Sequence, residues 1–231
     1  MTRQRLSVVS AFVALLVLLP VAPAIATTGS GHDRAAWTVV RDWERTSIRT
    51  IFPATPIPVG ALYLGFTSLA MYRAAEATGH RGSAEAAVAT AAHDVLVEYF
   101  PDSKTMLEAD LTASLGKIRD GSAKRQGQGV QAGARAAAEL IASRVNDGRN
   151  DSSRVYQRDP APGVWQPPSP LPPTLPGGML APWLGFVNPV LLRQPIDPRG
   201  VDGPPALTSA TYAAEVAEVQ RVGSTNSTAR T

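Results

Sequence analysis

The sequence predicts an all-α protein, a helical bundle of about six helices carrying one long proline- and glycine-rich loop. Outside that loop, apolar residues return at three- and four-residue intervals with no sustained period-two alternation, which is the pattern of amphipathic helix and not of strand. The proline content is segregated: 14 of the 20 prolines lie between Pro160 and Pro205. Helix breakers elsewhere fall at helix-length spacing, at Pro53 to Pro58, Gly79, Asp120-Gly121 and Asn146-Asp147-Gly148.

The first helix is expected from about Arg34 to Ile51, with Ala36, Val40, Trp43 and Ser47 on one face. PATPIP at 53–58 ends it, because proline restrains the residue before it and lacks the amide a helix interior needs. A second, about Pro58 to Thr78, is apolar almost all round, so it is expected at the centre of the core, with Gly79 as its stop. The third, about Ser83 to Phe100, places Val88, Ala91, Ala92, Val95 and Tyr99 in a narrow arc. A fourth is expected to start at Asp102 or Ser103, either of which can cap free amides, and to end near Ile118. The fifth runs from after Gly121 to about Val145 with Val130, Ala134, Ala137 and Ile141 as its stripe. Its many alanines imply close helix packing. A sixth is expected over about Ser209 to Val222.

Residues 150–207 are too apolar for a solvated spacer, given Val164, Trp165, Met179, Leu180, Trp183, Leu184, Phe186 and Val187, so an ordered loop wrapped over the body is expected. Met1 to Ala26 has a basic start at Arg3 and Arg5, an apolar run from Val8 to Leu19 and the small-residue pattern Ala24-Ile25-Ala26. This reads as a secretory signal peptide, since the run is shorter than the roughly 20 residues of a spanning helix. The division expected is therefore a signal peptide at 1–26, a helical body at 27–149, the packed loop at 150–207, and a C-terminal helix with a truncated end at 208–231. The location expected is secreted or periplasmic, with no stable membrane span once the signal is removed.

With 44% hydrophobic and 18% charged residues the chain is globular in composition. Loss of Arg3 and Arg5 with the leader lowers the formal charge from +3 to +1. No lysine-rich tract is present, so nucleic acid is not an expected partner. The absence of cysteine rules out disulfides, thiolate catalysis and Cys-ligated zinc, so core packing must hold the fold. The pattern does not address oligomeric state. The sequons Asn150-Asp151-Ser152 and Asn226-Ser227-Thr228 are too short a signal to carry a role.

Five segments together resemble a known family: AAHDVLVEYFP at 91–101, IRDGSAKRQGQGV at 118–130, DPAPGVWQPP at 159–168, APWLGFVNP at 181–189 and LTSATYAAEVAEVQRVGS at 207–224. From about Trp37 to Thr231 the chain resembles the N-terminal half of secreted bacterial vanadium-dependent haloperoxidase-like proteins, relatives of the type 2 phosphatidic acid phosphatases. The resemblance implies an incomplete haloperoxidase-like fold. It also implies that a full-length relative binds vanadate and oxidises halide with peroxide, or hydrolyses phosphomonoesters through a phosphohistidine. The family's chemistry rests on a Lys-x6-Arg-Pro segment, a Pro-Ser-Gly-His turn and a Ser-Arg-x3-Gly-x-His-x3-Asp helix start.

None of the three is present. Lys104, Lys117 and Lys124 have Leu111, Lys124 and Gln131 seven residues on, and Pro168-Ser169 is followed by Pro170-Leu171. The near match Ser143-Arg144-Val145-Asn146-Asp147-Gly148-Arg149-Asn150 has asparagine in place of histidine and Arg154 in place of aspartate. It reads as a coincidence at an ordinary helix stop. His32, His80 and His93 have no partner at metal-binding spacing. His93, if functional, would need a carboxylate from another helix to orient it. Gly127-x-Gly129-x2-Ala132 matches a dinucleotide fingerprint in form, but no strand precedes it, so its glycines are expected to admit a neighbouring helix. Trp165 and Trp183 could form an aromatic platform, though core-covering anchors fit their apolar setting better.

No residue is therefore assigned a catalytic, cofactor-binding or metal-binding role, and no cofactor is expected in this chain. The function expected is a scaffold portion of a secreted haloperoxidase or acid phosphatase-like protein, inactive alone. The alternative is a secreted helical binding module using the Trp165 to Phe186 loop.

Overall fold

The computed structural model describes residues 31–79, 81–119, 122–167, 179–192, 203–223 and 225–229. The leader at 1–26 and His80 lie outside the described residues, as does the side chain of His32. Six α-helices account for the regular structure: α1 Gly31–Ile51, α2 Ile57–Thr78, α3 Ala84–Tyr99, α4 Lys104–Lys117, α5 Ala123–Ser143 and α6 Ala210–Val222. No strand occurs among the described residues. The all-α reading holds, and no helix among these residues is long and apolar enough to cross a membrane.

α3, not α2, is the centre: α1, α2, α4 and α5 all pack on it. Every residue from Glu85 to Ala92 is buried, a wider arc than the periodicity implied. Alanine makes this possible, because a helix with short side chains on all faces can accept neighbours on all faces. α2 is apolar all round yet leaves Ile57, Ala61, Gly65 and Tyr72 exposed on its outer side. Hydrophobicity alone does not locate a helix when a smaller one can be surrounded more closely.

Two glycines bring α5 against α3. A methyl group on Gly129 would meet the Ser83 carbonyl and the Ala86 methyl, and one on Gly133 would meet the Ala87 carbonyl and lie 2.8 Å from Thr90 Cβ. Because the first turns of both helices touch, and later turns touch in the same order, α3 and α5 run parallel. The Ser83 amide donates to the Arg125 carbonyl at 3.0 Å, tying the two N-termini. The buried face of α5 is Gly129, Ala132, Gly133, Ala136, Ala137 and Leu140. Of the expected stripe only Ala137 is fully buried, because the face is chosen by close backbone approach and not by the bulkiest side chains.

Ser83, Ser122 and Ser209 cap α3, α5 and α6, each hydroxyl accepting the amide three residues on. α4 departs from expectation. Neither Asp102 nor Ser103 caps it with a side chain; a 3-10 turn over Pro101–Ser103 leads in, and the Lys104 amide is satisfied by the Pro101 carbonyl.

The core has two lobes, each built on part of α3 and both touched by Tyr63 and Tyr99. Phe66, Ala70, Ala74, Ala87, Ala91, Val95, Ala136, Ala137 and Leu140 fill the lobe shared with α2 and α5. Trp43, Ile51, Met71, Val88, Ala92, Leu96 and Leu107 fill the lobe shared with α1 and α4. α6 stands apart, with every described residue exposed except the half-buried Tyr212 and Val222.

Candidate functional site

The chemically densest cluster lies where α5 ends, at the segment the sequence reading took for an ordinary helix stop. At that end of the bundle Tyr63 and Phe66 of α2 and Tyr99 of α3 form a ring cluster, with Tyr63 5.9 Å from Phe66 and 5.2 Å from Tyr99 between centroids. The Arg149 guanidinium lies over all three, at 4.7 Å from Tyr99, 5.1 Å from Phe66 and 5.6 Å from Tyr63. Each distance is within the range where ring quadrupoles attract a cation.

Asp147 neutralises this cation from within the same turn. Arg149 Nε donates to Asp147 Oδ1 at 2.8 Å and to Oδ2 at 3.0 Å, and the Arg149 amide donates to Oδ1 at 3.2 Å. Arg149 Nη2 donates to the Arg144 carbonyl at 2.9 Å, capping the end of α5. Arg144 itself gives Nη1 to the Asn188 carbonyl at 2.8 Å, while the Asn188 amide donates to the Asp147 carbonyl at 2.7 Å. Asp147 and Arg144 are only 2% and 8% exposed at their side chains.

Three left-handed residues make so tight a turn possible: Asn146 at φ 56°, Gly148 at φ 93° and Asn150 at φ 59°. Asparagine tolerates that region better than most residues, and glycine adopts it freely. Gly148 is required twice over, since a Cβ there would lie 2.7 Å from the Phe186 carbonyl.

Burial pushes the Tyr99 hydroxyl pKa up, and the nearby Arg149 charge only partly opposes it. For Arg149 burial acts downward, but the hydrogen bond and charge of Asp147, with Tyr99 and Tyr63 nearby, outweigh it and hold the guanidinium above its usual value. The exposed Asp151 carboxyl is lowered chiefly by the Ser153 hydroxyl bonded to it. Arg149 is thus a fixed cation whose donors are turned onto its own chain. Two guanidiniums on one carboxylate, backbone carbonyls and rings make an internal clamp. α5 does stop here, as the sequence reading had it, with Arg144 as its C-cap; what that reading did not show is that Arg144 and Asp147 are both buried.

His93 of α3 places Nδ1 2.7 Å from Asp94 Oδ1, with its side chain 12% exposed and Nε2 buried without a hydrogen-bond partner. Its orienting carboxylate comes from the next residue and not from another helix. No group of three metal-ligating side chains occurs among the described residues. Of the fingerprint-like residues, Gly129 does admit a neighbouring helix, whereas nothing lies within 4 Å of a Cβ on Gly127.

Neither of the two loop tryptophans is buried. Trp165 is 45% exposed and packs edge-on against Tyr156 at 5.2 Å, with the Tyr156 hydroxyl donating to the Trp165 carbonyl. Trp183 is half-buried within a 3-10 turn over Pro182–Phe186, and it is Val190 that reaches the core. The ionic clamp itself was missed. Its signal was present in the alternation of Asn, Asp, Gly, Arg and Asn directly after a helix, a composition suited to left-handed turns.

No family model matches the chain, and no curated protein or solved structure matches it either.

Proposed function

We propose that this chain is a non-catalytic scaffold portion of a secreted protein of the vanadium-dependent haloperoxidase or acid phosphatase-like kind. The five segments between residues 91 and 224 support the family reading. One observation carries the non-catalytic half: the stretch most like an oxyanion-binding helix start, Ser143 to Asn150, folds into a closed ionic clamp. Arg144 is spent on the Asn188 carbonyl and Asp147, and Asn150 is an exposed left-handed residue that cannot serve as a nucleophile. Vanadate or phosphate chemistry needs free donors around a tetrahedral anion and a histidine in line with it.

The test is turnover by the chain from residue 27 onward, with vanadate, peroxide and bromide, and separately with an aryl phosphate. No turnover is expected. Saturable turnover abolished by Arg144→Ala would overturn the reading. Export with cleavage after Ala26 belongs to the same proposal, and N-terminal sequencing that returns Met1 would contradict it. DNA after codon 231 that encodes Pro-Ser-Gly-His and a Ser-Arg-x3-Gly-x-His helix would support the scaffold.

A secreted helical binding module remains the second reading, favoured by the exposure of Trp165, Leu180 and Phe186 along one loop. Large exposed apolar side chains are suited to contact with a partner. Under that reading the downstream DNA carries neither motif.

A further inference from the structure

We propose that residues 179–192 form a strap that opens and recloses as a unit over the Arg144–Asp147 pair while the helical bundle stays folded. None of these residues is buried. The strap is held at few points: the Asn188 amide on the Asp147 carbonyl at 2.7 Å, the Asn188 carbonyl under Arg144 Nη1 at 2.8 Å, Val190 against the core, and Phe186 beneath the Arg154 guanidinium at 4.2 Å.

Its internal bonds are its own. The Leu184 amide donates to the Ala181 carbonyl at 2.9 Å and the Val187 amide to the Leu184 carbonyl at 3.4 Å, so the 3-10 turn keeps its shape when the strap lifts. Ala181 enters that turn at φ 47°, a left-handed conformation that costs an alanine energy. The Arg149 part of the clamp beneath makes its hydrogen bonds within residues 144–149 and not to the strap. Arg149 bonds Asp147 and the Arg144 carbonyl, and neither bond has a strap residue as donor or acceptor.

Local opening becomes easier as buried apolar contact falls, and here a segment with little such contact is fastened to a body held by closely packed helices. Closed, the strap sets the Phe186 carbonyl on Gly148 and shelters Asp147. Open, it admits water to the carboxylate and frees one Arg144 donor.

Native-state hydrogen exchange on the intact chain tests this. The Asn188 amide is expected to exchange at least tenfold faster than the amides of Val95, Leu96 and Ala136, with little acceleration by low urea, since a small opening exposes little surface. Asn188 exchange at the core rate, with the core's urea dependence, would overturn the proposal, because the strap would then open only by global unfolding. In Gly148→Ala, strained by its positive φ and its contact with the Phe186 carbonyl, Asn188 exchange is expected to rise a further tenfold with core amides unchanged. Equal loss of protection in strap and core would count against it. Should that variant fail to fold, the urea dependence in the unmodified chain decides alone.

Discussion

Asp147 is 2% exposed and takes both of its carboxylate oxygens to a single nitrogen, Arg149 Nε, at 2.8 and 3.0 Å. The pair closes a tight turn and pins a cation onto the rings of α2 and α3. Burying a charge is costly unless it is paired, and removing one member leaves the other stranded.

Asp147→Ala therefore should destabilise the fold by about 3–5 kcal/mol, the range for breaking a buried pair. Urea denaturation of the variant and the parent measures it. A loss below about 1 kcal/mol would mean that the pair behaves as a surface ion pair.

Gly133→Ala should destabilise by about 1–3 kcal/mol, despite the roughly 1 kcal/mol that alanine gains over glycine in a helix interior. The added methyl would sit 2.8 Å from Thr90 Cβ and against the Ala87 carbonyl, and α5 would have to move off α3. Gly127→Ala is the control: its Cβ meets nothing within 4 Å, so the variant should be stabilised by about 0.5–1 kcal/mol. If the two changes shift the denaturation midpoint equally, the close approach of α3 and α5 is wrong.

Tyr99 links stability to alkaline pH. Its folded pKa is raised, first by burial, so the folded state holds its proton to higher pH than the unfolded state. That contribution is whole below the unfolded value of about 10 and is lost as pH rises through the folded value. The parent should lose stability relative to Tyr99→Phe above about pH 10 and not at pH 7. At pH 7 the variant should be equal to or more stable than the parent, since the Tyr99 hydroxyl is buried without a hydrogen-bond partner. A parent-minus-variant difference that is flat across this range would contradict it.

Much of the fold was legible in the sequence because serine caps, prolines and apolar spacing are local signals. Ser83, Ser122 and Ser209 start helices where the pattern put them. In the sequence the glycines of α5 read as admitting a neighbouring helix, and Gly129 does; what is not legible there is which face of α5 that approach selects. α5 turns Gly129 and Gly133 inward because α3 offers only short side chains there, a fact held in the pairing and not in either helix. The Arg149 side chain is only 13% exposed because three rings from two other helices converge on it, and residues Tyr63, Phe66 and Tyr99 are spread over 37 positions of sequence. A charged residue after a helix stop is ordinarily solvated, so only tertiary contact could show that this one is not.

Under the proposed scaffold role, the Ser143 to Asn150 turn is internal structure and binds no oxyanion. Thermal denaturation of the chain from residue 27 onward, titrated with orthovanadate, tests it most directly, because a ligand bound only by the folded state raises Tm with concentration. No change in Tm is expected at millimolar vanadate. A saturable rise in Tm, absent from Arg144→Ala, would contradict it.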